Sequence, residues 1–349
     1  MNTVMKFSGA VIDSPEKIRK IAEDIAERKI PDYGLAAVTS SPGGVGTGTE
    51  QAEALTEELI KCSVDAVFVK DGDINAIKSA VQSGKVPVSP GALDKDVDPD
   101  TTAVIVAAHL RWDCEFVREG GAIRSADPVY YPDAAERRFL TYDEVMELSN
   151  LGDWVVEGKA IEIAKRNHVR ILAIGPLEKD RRKGTFIMNN TNLLVDNTPV
   201  TGISVKEDIE VFTFKGIKEN TGAAAKCFAL LDDLKINVDM ISQQVDDDGS
   251  CSISFSCTKD QGGKLEDNMS GNPAFSGITV ESRKGLSMIS LVGAGMASYV
   301  GVAAKFFKVL DEENIKFYNI STSEISIQIT VASEDKGNAV ISLGRAFGI

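Results

Sequence analysis

A repeat in the C-terminal third of this chain limits what it can fold into more than any other feature. Laying Ile209–Ile241 over Met288–Ile320 puts Gly222 on Gly301, Ala225 on Ala304, Phe228 on Phe307, Leu231 on Leu310, Ile236 on Ile315 and Ile241 on Ile320, each pair 79 positions apart. Each copy reads as a strand, a glycine-bearing loop, an amphipathic helix and a second strand. Phe228, Phe307, Leu231 and Leu310 recur at helical spacing and are expected in the core. A paired module of this kind suits the sensing of a small molecule, which leaves any chemistry to the first 200 or so residues.

The remainder of the chain fits that division. Its 349 residues can hold two or three domains, and 43% apolar with 26% charged residues is ordinary for a soluble globular protein. A net charge of −14 argues against nucleic acid or an anionic membrane as a partner, since both would repel it. No apolar run approaches the roughly 18 residues of a membrane span, and Met1–Val11 carries one lysine and too short an apolar stretch for a signal peptide. Five cysteines, odd in number and without CxxC spacing, read as reduced thiols of a cytoplasmic protein. His109 and His168 are the two histidines, so no His-based metal site or triad is expected, and the metal ligand set is empty. Asp96, Asp98 and Asp100 have the alternation of a calcium loop but lack its glycine and distal glutamate, and are expected as a solvated acidic loop.

Before the repeats, apolar strands alternate with helices. Strands are expected at 3–7, 35–38, 66–69, 85–88, 114–117 and 169–174, the last of the domain, with Glu178–Lys183 closing it. Helices are expected at 14–25, where Ser14 caps and Pro15 opens the first turn, and at 50–62, 74–83, 101–110, 142–148 and 160–167. This alternation predicts a layered α/β domain with a largely parallel sheet. Gly262–Gly277, rich in glycine and asparagine, is expected as a loop before the second copy.

At these residues the chain resembles the aspartate kinases, over nearly its full length. Lys6–Ile18 (KFSGAVIDSPEKI) is similar to the family's KFGGTSV signature and the helix start after it. Asp100–Leu110 (DTTAVIVAAHL) resembles the helix behind its glycine-rich GSD turn, Ser125–Pro128 (SADP) its TADP, and Tyr142–Gly152 its YDEV-type helix. NVDMI (237–241) and STSEI (321–325) resemble parts of its two regulatory ACT modules. The resemblance implies an amino-acid-kinase domain over 1–195, followed by ACT modules of βαββαβ, ferredoxin-like form over 196–280 and 281–349.

It also implies a site, and the sequence departs from it. Lys6 stands where the catalytic lysine would be, and Ser8, Gly9, Gly43 and Gly44 where loops would face the phosphates of ATP. The family's GGTS reads Ser8-Gly9-Ala10-Val11, and its glycine-rich turn reads Asp96-Val97-Asp98-Pro99, placing carboxylates and a proline where N–H donors should be. YTDVDG reads Val117–Ala122, HPR reads Glu157-Gly158-Lys159, and the stretch from Gly44 to Gly84 is much shorter than in the family. Glu57-Glu58 is the nearest counterpart of its substrate-holding glutamate. These losses together favour a homologue that has lost phosphoryl transfer and acts as an amino-acid-binding regulatory protein. One alternative is an active aspartate kinase using ATP and Mg²⁺ at a remodelled site. A second is other chemistry on an amino-acid-like ligand, with Arg118, Glu119, Arg124 and Glu157 as candidates.

In the ACT modules the resemblance places effector contacts at Asn220, Gly222, Ala223, Val238 and Asp239, and at Ser323 and Glu324 in the second copy; Gln243 and Gln244 are expected to add polar contacts. A helix start with small residues suits a ligand carboxylate, and Asp239 suits its ammonium group. In the second copy Tyr299 is expected to crowd the pocket and Phe317-Tyr318 replaces Val-Asp, so ligand sites are expected on the first. Family precedent implies lysine or threonine as effector, a homodimer through the ACT sheets, and association with a competent aspartate kinase if this chain is inactive.

Overall fold

A computed structural model describes residues 2–28, 34–44, 48–91, 97–151, 156–189, 198–218, 222–245, 249–269, 272, 275–296 and 298–349. The chain divides into two compact units, Met1–Ser125 with Ala135–Thr201, and Ala126–Ala134 with Gly202–Ile349.

The first unit runs β1 (Thr3–Phe7), α1 (Pro15–Arg28), β2 (Leu35–Thr39), α2 (Thr49–Lys61), β3 (Ala66–Phe68), α3 (Ile74–Gln82), β4 (Val86–Pro90), α4 (Pro99–Leu110) and β5 (Asp113–Val117). It continues with β6 (Phe139–Thr141), α5 (Tyr142–Leu151), α6 (Gly158–Asn167), β7 (Ile171–Ile174) and β8 (Thr185–Met188). The eight strands form one sheet in the order β3-β4-β2-β1-β5-β7-β8-β6. All neighbours are parallel except β7 and β8. β2 and β7 are buried along their whole length, as a sheet with both faces covered requires.

Two expectations change here. β7 is not the last strand, and Glu178–Lys183 does not close the domain: β8 follows and pairs antiparallel with β7, and β6 lies beyond it. Strands of three or four residues are too short to carry a period in sequence. The charged segment is engaged structurally. Glu115, 1% exposed in the middle of β5, receives Arg28 Nη1 on one carboxylate oxygen and Arg181 Nη1 on the other, both at 2.8 Å. Arg28 Nε also reaches buried Asp24 at 2.7 Å, and Nη2 donates to the Glu178 carbonyl at 2.9 Å.

The second unit contains β9 (Gly202–Lys218), α7 (Ala223–Asp233), β10 (Asp239–Val245), β11 (Ser250–Thr258), α8 (Lys259–Met269), β12 (Thr279–Val292), α9 (Val302–Glu312), β13 (Phe317–Thr322), β14 (Ser326–Ala332) and α10 (Lys336–Phe347). Its antiparallel sheet runs β10-β11-β9-β12-β14-β13. β9 and β12 are long and change partners along their length. Thr279–Arg283 of β12 lies against positions 211–215 of β9, and Met288–Val292 against positions 202–206. The first βαββαβ module therefore takes the C-terminal part of β9 and the N-terminal part of β12. The second takes the remaining halves, so its fourth strand precedes the first module in sequence.

Lys259–Met269 is a helix, where its glycines suggest a loop. Leu265 is fully buried, and Gly262 lies so close to β9 that a Cβ there would be 2.2 Å from Glu210 Oε2. Packing outweighs the roughly 1 kcal/mol that a glycine costs in a helix.

Cys114, Cys227, Cys251 and Cys257 are buried and Cys62 is partly exposed. Burial pushes the Cys257 thiol up to about 12 and raises those of Cys227 and Cys114. A thiol reagent at pH 8 is expected to titrate Cys62 first and the other four only on unfolding. Rapid reaction of more than one native thiol would contradict this packing. Among the described residues no helix is long and apolar enough to cross a membrane.

Candidate functional site

β1 is the strand at which the sheet reverses its order, with β2 on one side and β5 on the other. In an open parallel sheet the crevice beyond the carboxyl ends at such a reversal is where ligands bind. Lys6 lies one residue from the end of β1, level with Val38 and Phe116. The turns after β1 and β2 pack on each other so tightly that a Cβ on Gly9 would sit 2.1 Å from the Ser41 carbonyl oxygen. Glycine alone fits there. These turns and the N-termini of α4 and α6 border a cavity of about 890 Å³, whose walls include Lys6, Gly9, Ser40, Asp100 and Lys159.

The acidic stretch read as a barrier to phosphate is engaged within the fold. Asp98 caps α4, its Oδ1 accepting from the Thr101 N–H at 2.8 Å, and Pro99 fills the first helical position, where an N–H lacks a helical partner anyway. Asp100 pairs with Lys6 at 2.6 Å, with both side chains largely buried, and its other oxygen accepts from the Glu157 N–H at 3.4 Å. Asp96 lies outside the described residues.

Ser40 directly follows β2. It is 7% exposed, borders the cavity, and among the described residues its hydroxyl has no hydrogen-bond partner. The Ser149 hydroxyl on α5 is likewise buried and unpaired beside the same cavity. A buried hydroxyl without a partner costs about 1–3 kcal/mol, which a bound ligand group would relieve. The signal that could have marked Ser40 is topological: it directly follows the strand parallel to β1, so the fold carries it to Lys6.

The other expected residues separate. Gly9 and Gly43 border the cavity, whereas the Ser8 amide donates to the Val117 carbonyl at 3.1 Å and neither Ser8 nor Gly44 lines it. Glu57 and Glu58, on α2, are also away from it, and Glu58 pairs with Lys61 at 2.6 Å. Among the described residues, none between positions 48 and 91 lines the cavity. Arg118 directly follows β5; burial lowers its pKa and the Asp100 carboxylate opposes that. Glu119 borders a smaller cavity of about 220 Å³ with Val11, Ile21, Pro176 and Leu177, which shares Ala10 with the larger one. Arg124 lies 3.7 Å from Glu136.

In the second unit Asn220 lies outside the described residues. Gly222, in the left-handed conformation (φ 66°), caps α7, and Ala223 opens it. Val238 packs partly buried against the core, and Gln243 is exposed on β10. Asp239 already holds an ammonium group: Lys206 Nζ lies 3.1 Å from its Oδ2. Ser323 closes the β13–β14 turn, its Oγ accepting from the Ser326 N–H at 3.0 Å. In the second copy Tyr299 does not fill the space beside it: a cavity of about 620 Å³ opens there, bordered by Gly301, Ser323 and Glu324 as well.

Comparison with known proteins agrees with this architecture. A model of the amino acid kinase family matches residues 54–173, and one of the ACT domain matches residues 289–347. Aspartokinase 2 of Bacillus subtilis is 31% identical over 404 residues, covering 99% of this chain and 97% of its own length. The aspartokinase of Mycobacterium bovis is 32% identical over 408 residues, covering 99% and 96%. An alignment 404 positions long holds at most the 349 residues of this chain, so dozens of its positions are gaps here. Among solved structures, the aspartate kinase of Clostridium acetobutylicum superposes with a TM-score of 0.77 at 19% identity, covering 99% of this chain and all of its own. E. coli aspartokinase III in complex with aspartate and ADP gives 0.75 at 16% identity, with both chains fully covered.

Proposed function

The chain belongs to the aspartokinase family, and from that premise we propose that it transfers the γ-phosphoryl group of ATP to the side-chain carboxylate of aspartate in the Lys6 cleft. The observation that carries this reading is the Lys6–Asp100 pair at the wall of an open cavity, beyond the carboxyl ends of β1 and β2, with the unpartnered Ser40 hydroxyl on the same wall. A carboxylate oxygen attacks the γ-phosphorus, the bond to ADP breaks and an acyl phosphate forms. No proton has to move, because the nucleophile is already ionised at neutral pH. The protein's work is to position the partners and neutralise charge. Lys6 supplies a cation to the transferring phosphoryl group, and Asp100 fixes the direction of its ammonium group. Mg²⁺ enters with the phosphates of ATP, which it neutralises.

The test is to incubate the protein with ATP·Mg²⁺, L-aspartate and hydroxylamine, which traps an acyl phosphate as the hydroxamate. Hydroxamate and ADP should form together and require both substrates. ADP release without aspartate, or no ADP at all, would sink the proposal.

The second reading is a regulatory protein without phosphoryl transfer, working with a competent aspartate kinase. It is favoured by Pro99, which has no N–H, and by the engagement of the Thr101 amide in the α4 cap, which together remove donors from the start of that helix. Under either reading we assign the ACT pair to amino-acid effector binding. E. coli aspartokinase III has been solved with lysine and aspartate, which makes lysine the first effector to test and threonine the second. An effector ammonium arriving at Asp239 has to displace Lys206. Calorimetry should therefore show saturable heat with one of the two amino acids, lost in Asp239→Ala; heat unchanged in that variant would move the site elsewhere. The edge strands β10 and β13 expose Ile241, Val245, Phe317 and Ile320, which fits self-association into a homodimer.

A further inference from the structure

Lys159 occupies an unfavourable place for a cation. It is the second residue of α6, where the unpaired N–H groups of the helix start already repel positive charge, while Lys165 and Arg166 lie in the last turn, where such charges are stabilised. It is exposed to the cavity it borders, and among the described residues no carboxylate pairs with it. The cavity's other lysine, Lys6, is held by Asp100. Ser40 borders the same space with a hydroxyl that is more than nine-tenths buried and has no partner among the described residues. A free cation at a helix N-terminus and an unpaired hydroxyl in one cleft both call for anionic oxygen. The rim beside Lys159 also carries carboxylates: Glu157 lies two residues before it, and Glu162, paired with Arg166 at 2.5 Å, lies one turn on. A ligand carrying a cation beside its carboxylate matches both signs of charge.

Building on the kinase reading, we propose that Lys159 and the N-terminus of α6, with Ser40, form the subsite that holds the zwitterionic head of the acceptor amino acid, Lys159 taking the α-carboxylate and the Glu157–Glu162 rim accepting the ammonium. The side-chain carboxylate of the acceptor is then left to face Lys6. Lys159 is thus a substrate-contacting specificity residue.

The test is steady-state kinetics of Lys159→Met, Lys159→Arg and Ser40→Ala in the full chain, with calorimetry of L-aspartate and succinate on the same proteins. Loss of one charge-assisted contact should raise the KM for aspartate about 10- to 100-fold in Lys159→Met and leave the KM for ATP within about twofold. Lys159→Arg should recover most of the loss, and succinate, which has no ammonium group, should bind wild type more weakly than aspartate. If wild type turns over and Lys159→Met keeps its aspartate KM, the subsite is wrong and the kinase reading stands. A rise confined to the KM for ATP would assign Lys159 to nucleotide phosphate and overturn the proposal as well. If wild type shows no turnover, the kinase reading fails and binding decides the subsite. Aspartate affinity lowered in Lys159→Met and Ser40→Ala but kept in Asp239→Ala supports it. Equal affinity in all of them, or no aspartate binding to wild type, refutes it.

Discussion

Lys6→Ala is expected to lower kcat for acyl phosphate formation about 10²–10³-fold, the effect of removing one preorganised donor from a site of developing charge. The KM for aspartate should change much less, because Lys6 acts on the phosphoryl group rather than on the acceptor's head. Removing the ammonium group also takes the ion-pair partner from the largely buried Asp100 carboxylate, so more of its negative charge then faces the phosphates. This predicts a coupled pair. Asp100→Ala alone should cost activity by freeing Lys6, and the double variant should be less impaired than the two losses combined. Rapid-quench measurement of kcat across the cycle checks it. Independent, additive losses would mean that the 2.6 Å contact does not organise the site, and a fully active Lys6→Ala would remove the basis of the kinase reading.

The largest expected loss of stability lies away from the cleft. Glu115→Ala should destabilise the first unit by about 3–5 kcal/mol, the range for breaking a buried ion pair by removing one partner. Both carboxylate oxygens are engaged by arginines at 2.8 Å, and its deletion leaves the partly exposed Arg28 and Arg181 without that partner. Arg28 retains Asp24 and the Glu178 carbonyl, but Arg181 loses the one ion-pair partner it has among the described residues. Urea unfolding followed by tryptophan fluorescence reports on this unit, since Trp112 packs within it against Gly34. A loss below about 1 kcal/mol would place the cluster with ordinary surface pairs. Glu115→Gln, which keeps the shape and one acceptor, should fall between alanine and wild type.

Much of this was legible without coordinates. The 79-residue repeat announced two similar modules, and ordered motifs from Lys6 to Glu324 identified the family. The alternation of apolar strands and helices announced a largely parallel sheet, as found. These features are periodic or local, and a period survives in a linear string. The strands Phe139–Thr141 and Thr185–Met188 were not legible, being shorter than any period they could display. Helix α8 was hidden by glycines that serve its contact with β9.

What the tertiary structure alone decided was which polar groups meet. In sequence, Asp98 and Asp100 were two carboxylates in an acidic run, and the natural inference was repulsion of phosphate. In the fold one caps a helix and the other pairs with a lysine 94 positions earlier, so neither stands as a bare charge. Ser40 was one serine in a turn until the parallel pairing of β1 and β2 set it beside Lys6. The two repeats likewise share β9 and β12, although in sequence they run one after the other. Charge and hydrogen bonding act over a few ångströms of space, whatever the separation along the chain. The sequence by itself therefore determined the family, the elements and the modules. The folded packing determined the site, because only it brings Lys6, Ser40, Asp100 and Lys159 to one cavity.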